Sequence, residues 1–127
     1  MDGWSVAMER LETAMRFGVA RQGVLAANLA HADTPGYRAR DLVFDAALAR
    51  REAALVRTDA RHLAAPEEAG APGWRLLHAA GAPRADGNTV DADRELVELS
   101  RNASAFGRHA EATSRLLLLR QLAIGGR

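Results

Sequence analysis

The sequence predicts a mainly α fold: long N- and C-terminal heptad helices forming an antiparallel coiled-coil-like pair, with a short helix and an irregular or weakly β middle segment. Two observations carry this reading. An apolar stripe with a three-four repeat runs near each end of the chain, and the stretch between them is rich in Ala, Gly and Pro with no such repeat. At 127 residues the chain has the length of one domain. It reads as a single elongated domain over 1–127, with an N-terminal helix over 3–31, a turn, short helix and irregular middle over 32–88, and a C-terminal helix over 89–124.

The first stripe is Trp4, Met8, Leu11, Met15, Gly18, Gln22, Leu25 and Leu29, an a/d seam interrupted only by the small Gly18 and the polar Gln22. A helix over 3–31 at 1.5 Å per residue is about 40 Å long, more than a domain of this size buries along its whole length, so it requires a partner. Thr34-Pro35-Gly36-Tyr37 then stops it. Pro35 presets φ at the second position of a type II turn, Gly36 supplies positive φ at the third, and Thr34, preceding a proline, is pushed out of the α region.

Residues 41–55 read as a short helix through Leu42, Phe44, Ala47, Leu48 and Leu55. Beyond it, only 74–78 carries a weak strand signal, and Pro72-Gly73, Gly81-Ala82-Pro83 and Asp86-Gly87-Asn88 mark turns. Asp91 is placed as the N-cap of the last helix, with Asp93 and Glu95 in or just after the first turn, and Gly125-Gly126 ends it. Its stripe is Leu96, Leu99, Ala103, Phe106, Ala110, Thr113, Leu117 and Ile124. Arg120 falls on the seam, and Leu116 and Leu119 widen it. Matching periods suit pairing of the two helices with each other or with neighbouring chains.

Chemistry-bearing patterns are missing. With no cysteine there is no thiolate zinc site, disulfide framework or thiol nucleophile, and with every one of the 17 basic residues an arginine there is no P-loop or Schiff-base lysine. His31, His62, His78 and His109 have no i,i+4 histidine partner. Asp91, Asp93 and Glu95 resemble the start of a calcium loop but lack the glycine and the closing glutamate, Asn102 standing at the twelfth position. No GxSxG or GxGxxG occurs. The expectation is a protein that is not an enzyme and holds no cofactor or metal.

Charge is close to balanced, formally +1, but residues 62–100 are acidic and 101–127 carry five arginines against Glu111. Basic residues at a helix C-terminus complement the macrodipole, and the aromatics are scattered rather than interleaved with arginines, so no nucleic-acid partner is expected. No apolar run approaches the roughly 20 residues of a membrane span, so no direct membrane insertion is expected. The N-terminus, with Asp2, Glu9 and Glu12, does not have the pattern of a cleavable signal peptide.

The segment from Ala27 to Tyr37, ANLAHADTPGY, closely resembles the ANxANxxTPGY signature of flagellar rod and hook proteins, in Asn28, Ala30, Thr34, Pro35, Gly36 and Tyr37. His31 stands where that superfamily usually has Asn. Within it, Arg38 to Leu42, the spacing of Thr58 to His62-Leu63, and Asp86-Gly87-Asn88-Thr89-Val90-Asp91 leading into Glu95 are similar to the FlgB family of proximal-rod proteins. So is the last helix with Asn102, Leu119 and Ile124, Phe106 replacing a more usual Tyr.

The resemblance implies a structural subunit that packs helically with other rod subunits and with copies of itself in the periplasm-spanning rod of the flagellar basal body. It also implies contact with the basal-body ring and export apparatus, and export without cleavage through the flagellar type III system. The assembly seams are expected at Met8, Leu11, Met15, Leu25 and Leu29, and at Leu96, Leu99, Phe106, Leu117 and Ile124. Phe44 and Leu48 resemble an export-gate motif, and they also share one face of a short helix. The competing reading is a soluble helical adaptor or export chaperone that holds a partner helix through the same heptads.

Overall fold

A computed structural model describes residues 3–45 and 73–126. Helix α1 spans Gly3–Ala30, strand β1 Arg40–Phe44, strand β2 Trp74–His78, and helix α2 Ala92–Gly125. The 28 residues of α1 give about 42 Å and the 34 of α2 about 51 Å at 1.5 Å per residue. α2 begins at 92, where the Asp91 cap puts it and three residues inside the 89–124 range. Asp91 caps it, accepting from the Arg94 backbone N–H at 3.2 Å, and Gly126 closes it with its N–H on the Leu122 carbonyl.

The two helices pack against each other, and their contacts run in opposite directions along the chain. Asn28 meets Glu95, Gly18 and Gln22 meet Asn102, Gly18 also meets Phe106, and Trp4 meets Arg120. The pair is therefore antiparallel, and in this register the last residues of α2 run past the start of α1.

The middle holds a two-stranded antiparallel sheet, with Arg40 opposite His78, Leu42 opposite Leu76 and Phe44 opposite Trp74. The weak strand signal at 74–78 is thus realised. The short helix expected from residue 41 is corrected: 41–44 is strand, and the rest of that helix, with Leu48, lies outside the described residues. Leu42 and Phe44 alternate with Asp41 and Val43, which fits a period of two as well as one turn of helix, and pairing with a segment 30 residues away decides between them. The sheet is held to α1 by Phe17, whose ring meets Phe44 edge-on at 6.1 Å and Trp74 at 5.7 Å.

The buried interior of the described residues is small and half polar. Leu25, Ala39, Leu42 and Val90 are its apolar members; Asn28, Asn88, Glu95 and Asn102 are its polar ones. Such groups are tolerated inside only when hydrogen-bonded. Among the described residues, no buried side-chain nitrogen or oxygen lacks a partner.

Candidate functional site

The Pro35-Gly36 turn forms as its residues dictate. Gly36 sits at φ 72°, and the Tyr37 N–H closes the turn on the Thr34 carbonyl at 3.3 Å. Asn88 fastens it. Its Nδ2 shares two protons among the carbonyls of His31 (2.9 Å), Ala32 (3.1 Å) and Thr34 (2.7 Å), while its Oδ1 accepts from the Val90 N–H at 2.7 Å. These carbonyls belong to the segment just past the end of α1, where backbone acceptors have left the helical ladder. Arg84 also donates to the Ala32 carbonyl.

The backbone completes the junction. Gly36 N–H donates to Asp86 O at 2.8 Å and Thr89 N–H to Tyr37 O at 3.0 Å, and Thr89 Oγ1 accepts from the Ala39 N–H at 2.9 Å. Gly87, at φ 80°, passes so close that a Cβ would lie 3.4 Å from Gly36 Cα. The two sequence motifs, one ending in TPGY and the other DGNTVD, are thus the two halves of one hydrogen-bonded junction.

Asn28 does for α1 and the sheet what Asn88 does for the turn. Its Nδ2 donates to Arg40 O (2.6 Å) and Glu95 Oε2 (3.1 Å), and its Oδ1 accepts from the Arg40 N–H (3.0 Å) and the Tyr37 hydroxyl (3.3 Å). All four positions of the amide are used. His31 stacks on the Tyr37 ring at 4.5 Å and shares a hydrogen bond with Thr34 Oγ1 at 3.1 Å. It therefore braces the same turn.

About two turns of helix before Asn28, Arg21 ties three elements together. Its Nε and one terminal nitrogen grip both Asp41 oxygens at 2.8 Å, and that same nitrogen reaches Glu98 at 3.1 Å. Hydrogen bonding to Asp41, followed by the charges of Asp41 and Glu98, holds the guanidinium protonated beyond its already high ordinary range, burial opposing.

The irregular seam positions have partners on the opposite helix. Asn102 Nδ2 donates to Gly18 O at 2.8 Å and Gln22 Oε1 at 2.7 Å, so the two interruptions of the first seam are what receive it. Gly18 also leaves room for Phe106, whose ring would lie 3.4 Å from a Cβ there. Arg120 sits over the Trp4 ring at 5.4 Å. A polar residue inside a helix pair pins its register.

No protein-family model matches the chain. Among curated proteins, it is 36% identical over 125 residues to "Flagellar basal body rod protein FlgB" of Escherichia coli K12, covering 90% of this chain and 89% of that one. The chain belongs to the FlgB family. The protein of the same name from Salmonella typhimurium is 39% identical over 116 residues, 78% of this chain and 83% of that one, and that from Cereibacter sphaeroides is 41% identical over 88 residues, 68% of each.

In this FlgB-family chain the expected seam residues divide between two environments. On α1, Leu25 is buried and Met8, Leu11, Met15 and Leu29 are half-buried. On α2, Leu99 is half-buried, but Leu96, Leu117 and Ile124 are exposed, and Phe106 keeps one side open while touching Gly18. The inward face of α2 is led instead by Glu95 and Asn102, with His109 and Leu116 half-buried beyond them. The signature residues Asn28 and Tyr37 lie inside the junction, whereas Ala30, Thr34, Pro35 and Gly36 are exposed on its surface.

Sequence reasoning missed the link of Arg21 to Asp41 and Glu98 and that of Glu95 to Asn28. The available signal was a polar residue standing one position beside a heptad stripe, which by itself names no partner.

Proposed function

We propose that this chain is a structural subunit of the flagellar basal-body rod, assembling helically with other rod subunits through the exposed apolar surface of α2. Family membership supports the role, and one observation carries the surface: Leu96, Val97, Leu117, Leu118, Leu119, Leu122 and Ile124 are each about half exposed or more along one helix. That is a large apolar load for a lone chain to leave in water. A seam whose faces differ gives head-to-tail contacts, and these propagate into an open helical array rather than closing. No helix among the described residues is long and apolar enough to cross a membrane.

A proximal position in the rod, contact with the basal-body ring and export apparatus, and export through the flagellar type III system belong to the same reading. In the folded chain Phe44 is a strand residue packed on Phe17. A gate that reads Phe44 together with Leu48 therefore reads them before β1 pairs.

The absence of native cysteine makes a single introduced thiol specific. Leu118→Cys, at an exposed position, is expected to give a covalent adduct with a neighbouring rod subunit when basal bodies are treated with a short cross-linker that carries a maleimide at one end and a photoreactive group at the other. No adduct from cysteines placed in turn at positions 96, 118 and 122 would contradict assembly through this face.

A further inference from the structure

The α1–α2 junction contains a buried carboxyl whose side-chain partner is an amide rather than a cation. Glu95 is 6% exposed, and its Oε2 accepts from Asn28 Nδ2 at 3.1 Å. The groups around it are identified from each element. From α1 come Asn28 and Arg21, from β1 Asp41, and from α2 Arg94 and Glu98. Arg21 is committed to Asp41 and Glu98. Arg94 is exposed and donates to the Ala80 carbonyl at 3.2 Å. Two further carboxylates therefore stand near Glu95, and the cations beside them are committed, Arg21 to both and the exposed Arg101 to Glu98 at 3.1 Å.

We propose that Glu95 is a proton-sensitive latch on the helix pair, tightening the junction when its carboxyl is neutral and loosening it when the carboxyl is ionised. A neutral acid still accepts the Asn28 hydrogen bond through its carbonyl oxygen. An ionised one keeps that bond but carries into the interior a charge that no cation is hydrogen-bonded to. Burial foremost, with the charges of Asp41 and Glu98, raises the proton affinity of Glu95 above the ordinary glutamate value of 4.5, against the opposing pull of the Asn28 hydrogen bond and Arg94.

The direction of the pH effect follows. Folding raises the proton affinity of this group, so the folded chain binds more protons than the unfolded one between the two values. Its contribution to stability is complete below 4.5 and is lost as pH rises through the raised value. The latch lies at the point where the Asn28 amide joins α1, the TPGY turn and α2, so it governs how firmly the terminal helices are held to each other.

The test is thermal unfolding of the full chain, followed by circular dichroism, at about pH 5 and about pH 8. Glu95→Gln keeps the shape and the acceptor but cannot ionise. The wild-type midpoint is expected to fall by a few degrees between the two conditions. The Glu95→Gln midpoint should stay at or above the wild type at the higher pH, with the fall reduced. A variant that loses as much stability as the wild type over this range, or melts below it at the higher pH, would overturn the proposal. If the variant does not fold, the Glu95 carboxyl carbon of the labelled wild-type chain is titrated by NMR, and half-ionisation at or below 4.5 overturns it.

Discussion

Asn88→Ala is expected to lower the thermal midpoint of the chain by roughly 10 °C or more, corresponding to about 3 kcal/mol. The side chain is completely buried and makes four hydrogen bonds, three to carbonyls beyond α1 and one from the Val90 N–H. Val90 is itself 3% exposed, so its freed N–H finds no water without opening the site. Truncation therefore removes the fastening between the turn and the segment that starts α2. Asn88→Asp tests the same point by a second route. It is almost isosteric and retains an acceptor for Val90, but it turns a carboxylate toward three carbonyl oxygens, and it should be at least as damaging. Melting within about 2 °C of the wild type in both variants would contradict the junction's structural role.

Leu117→Asp should act in the opposite way, sparing the fold and abolishing assembly. Leu117 is 49% exposed, so the free chain loses little, about 1 kcal/mol or less, and its far-ultraviolet circular dichroism should be unchanged. Burying the new carboxylate against a neighbour without a partner costs roughly 3 kcal/mol or more at each contact. Since that penalty recurs along an array, the strain is expected to be non-motile and to lack rods despite normal levels of the protein. Leu25→Asp also blocks rods but for a different reason. Leu25 is 2% exposed, so its loss unfolds the helix pair before any contact with a neighbour is made. Normal rods in Leu117→Asp would contradict the use of this face.

The features legible in the sequence are those whose cause is local. Each terminal helix carries its own heptad stripe, Asp91 announces a cap through its place before an acidic first turn, and Pro35-Gly36 fixes a turn by backbone conformation alone. The features that escaped depend on a distant partner. Residues 41–44 are strand because of Trp74–His78, and a short apolar run does not reveal its period without that pairing.

On α2 the apolar pattern does not separate residues that close on α1 from those left outward. Leu96 and Leu117 are exposed, while the adjoining Glu95 and Leu116 are turned further inward, because the contact is organised by buried polar groups. Hydrophobic pattern does not report a buried glutamate, an Asn102 that reaches Gly18 and Gln22, or an Arg21 shared by two carboxylates. The signature motif was visible as a string, but the reason for its Asn28 became clear only when all four positions of the amide were accounted for.

The role in the rod is tested most directly by electron microscopy of basal bodies purified from a strain lacking this gene, beside the same strain carrying it on a plasmid. Rings without a rod in the deletion strain, with rods restored by the plasmid, are the predicted result. Intact rods in the deletion strain, with no second copy of the gene present, would contradict it.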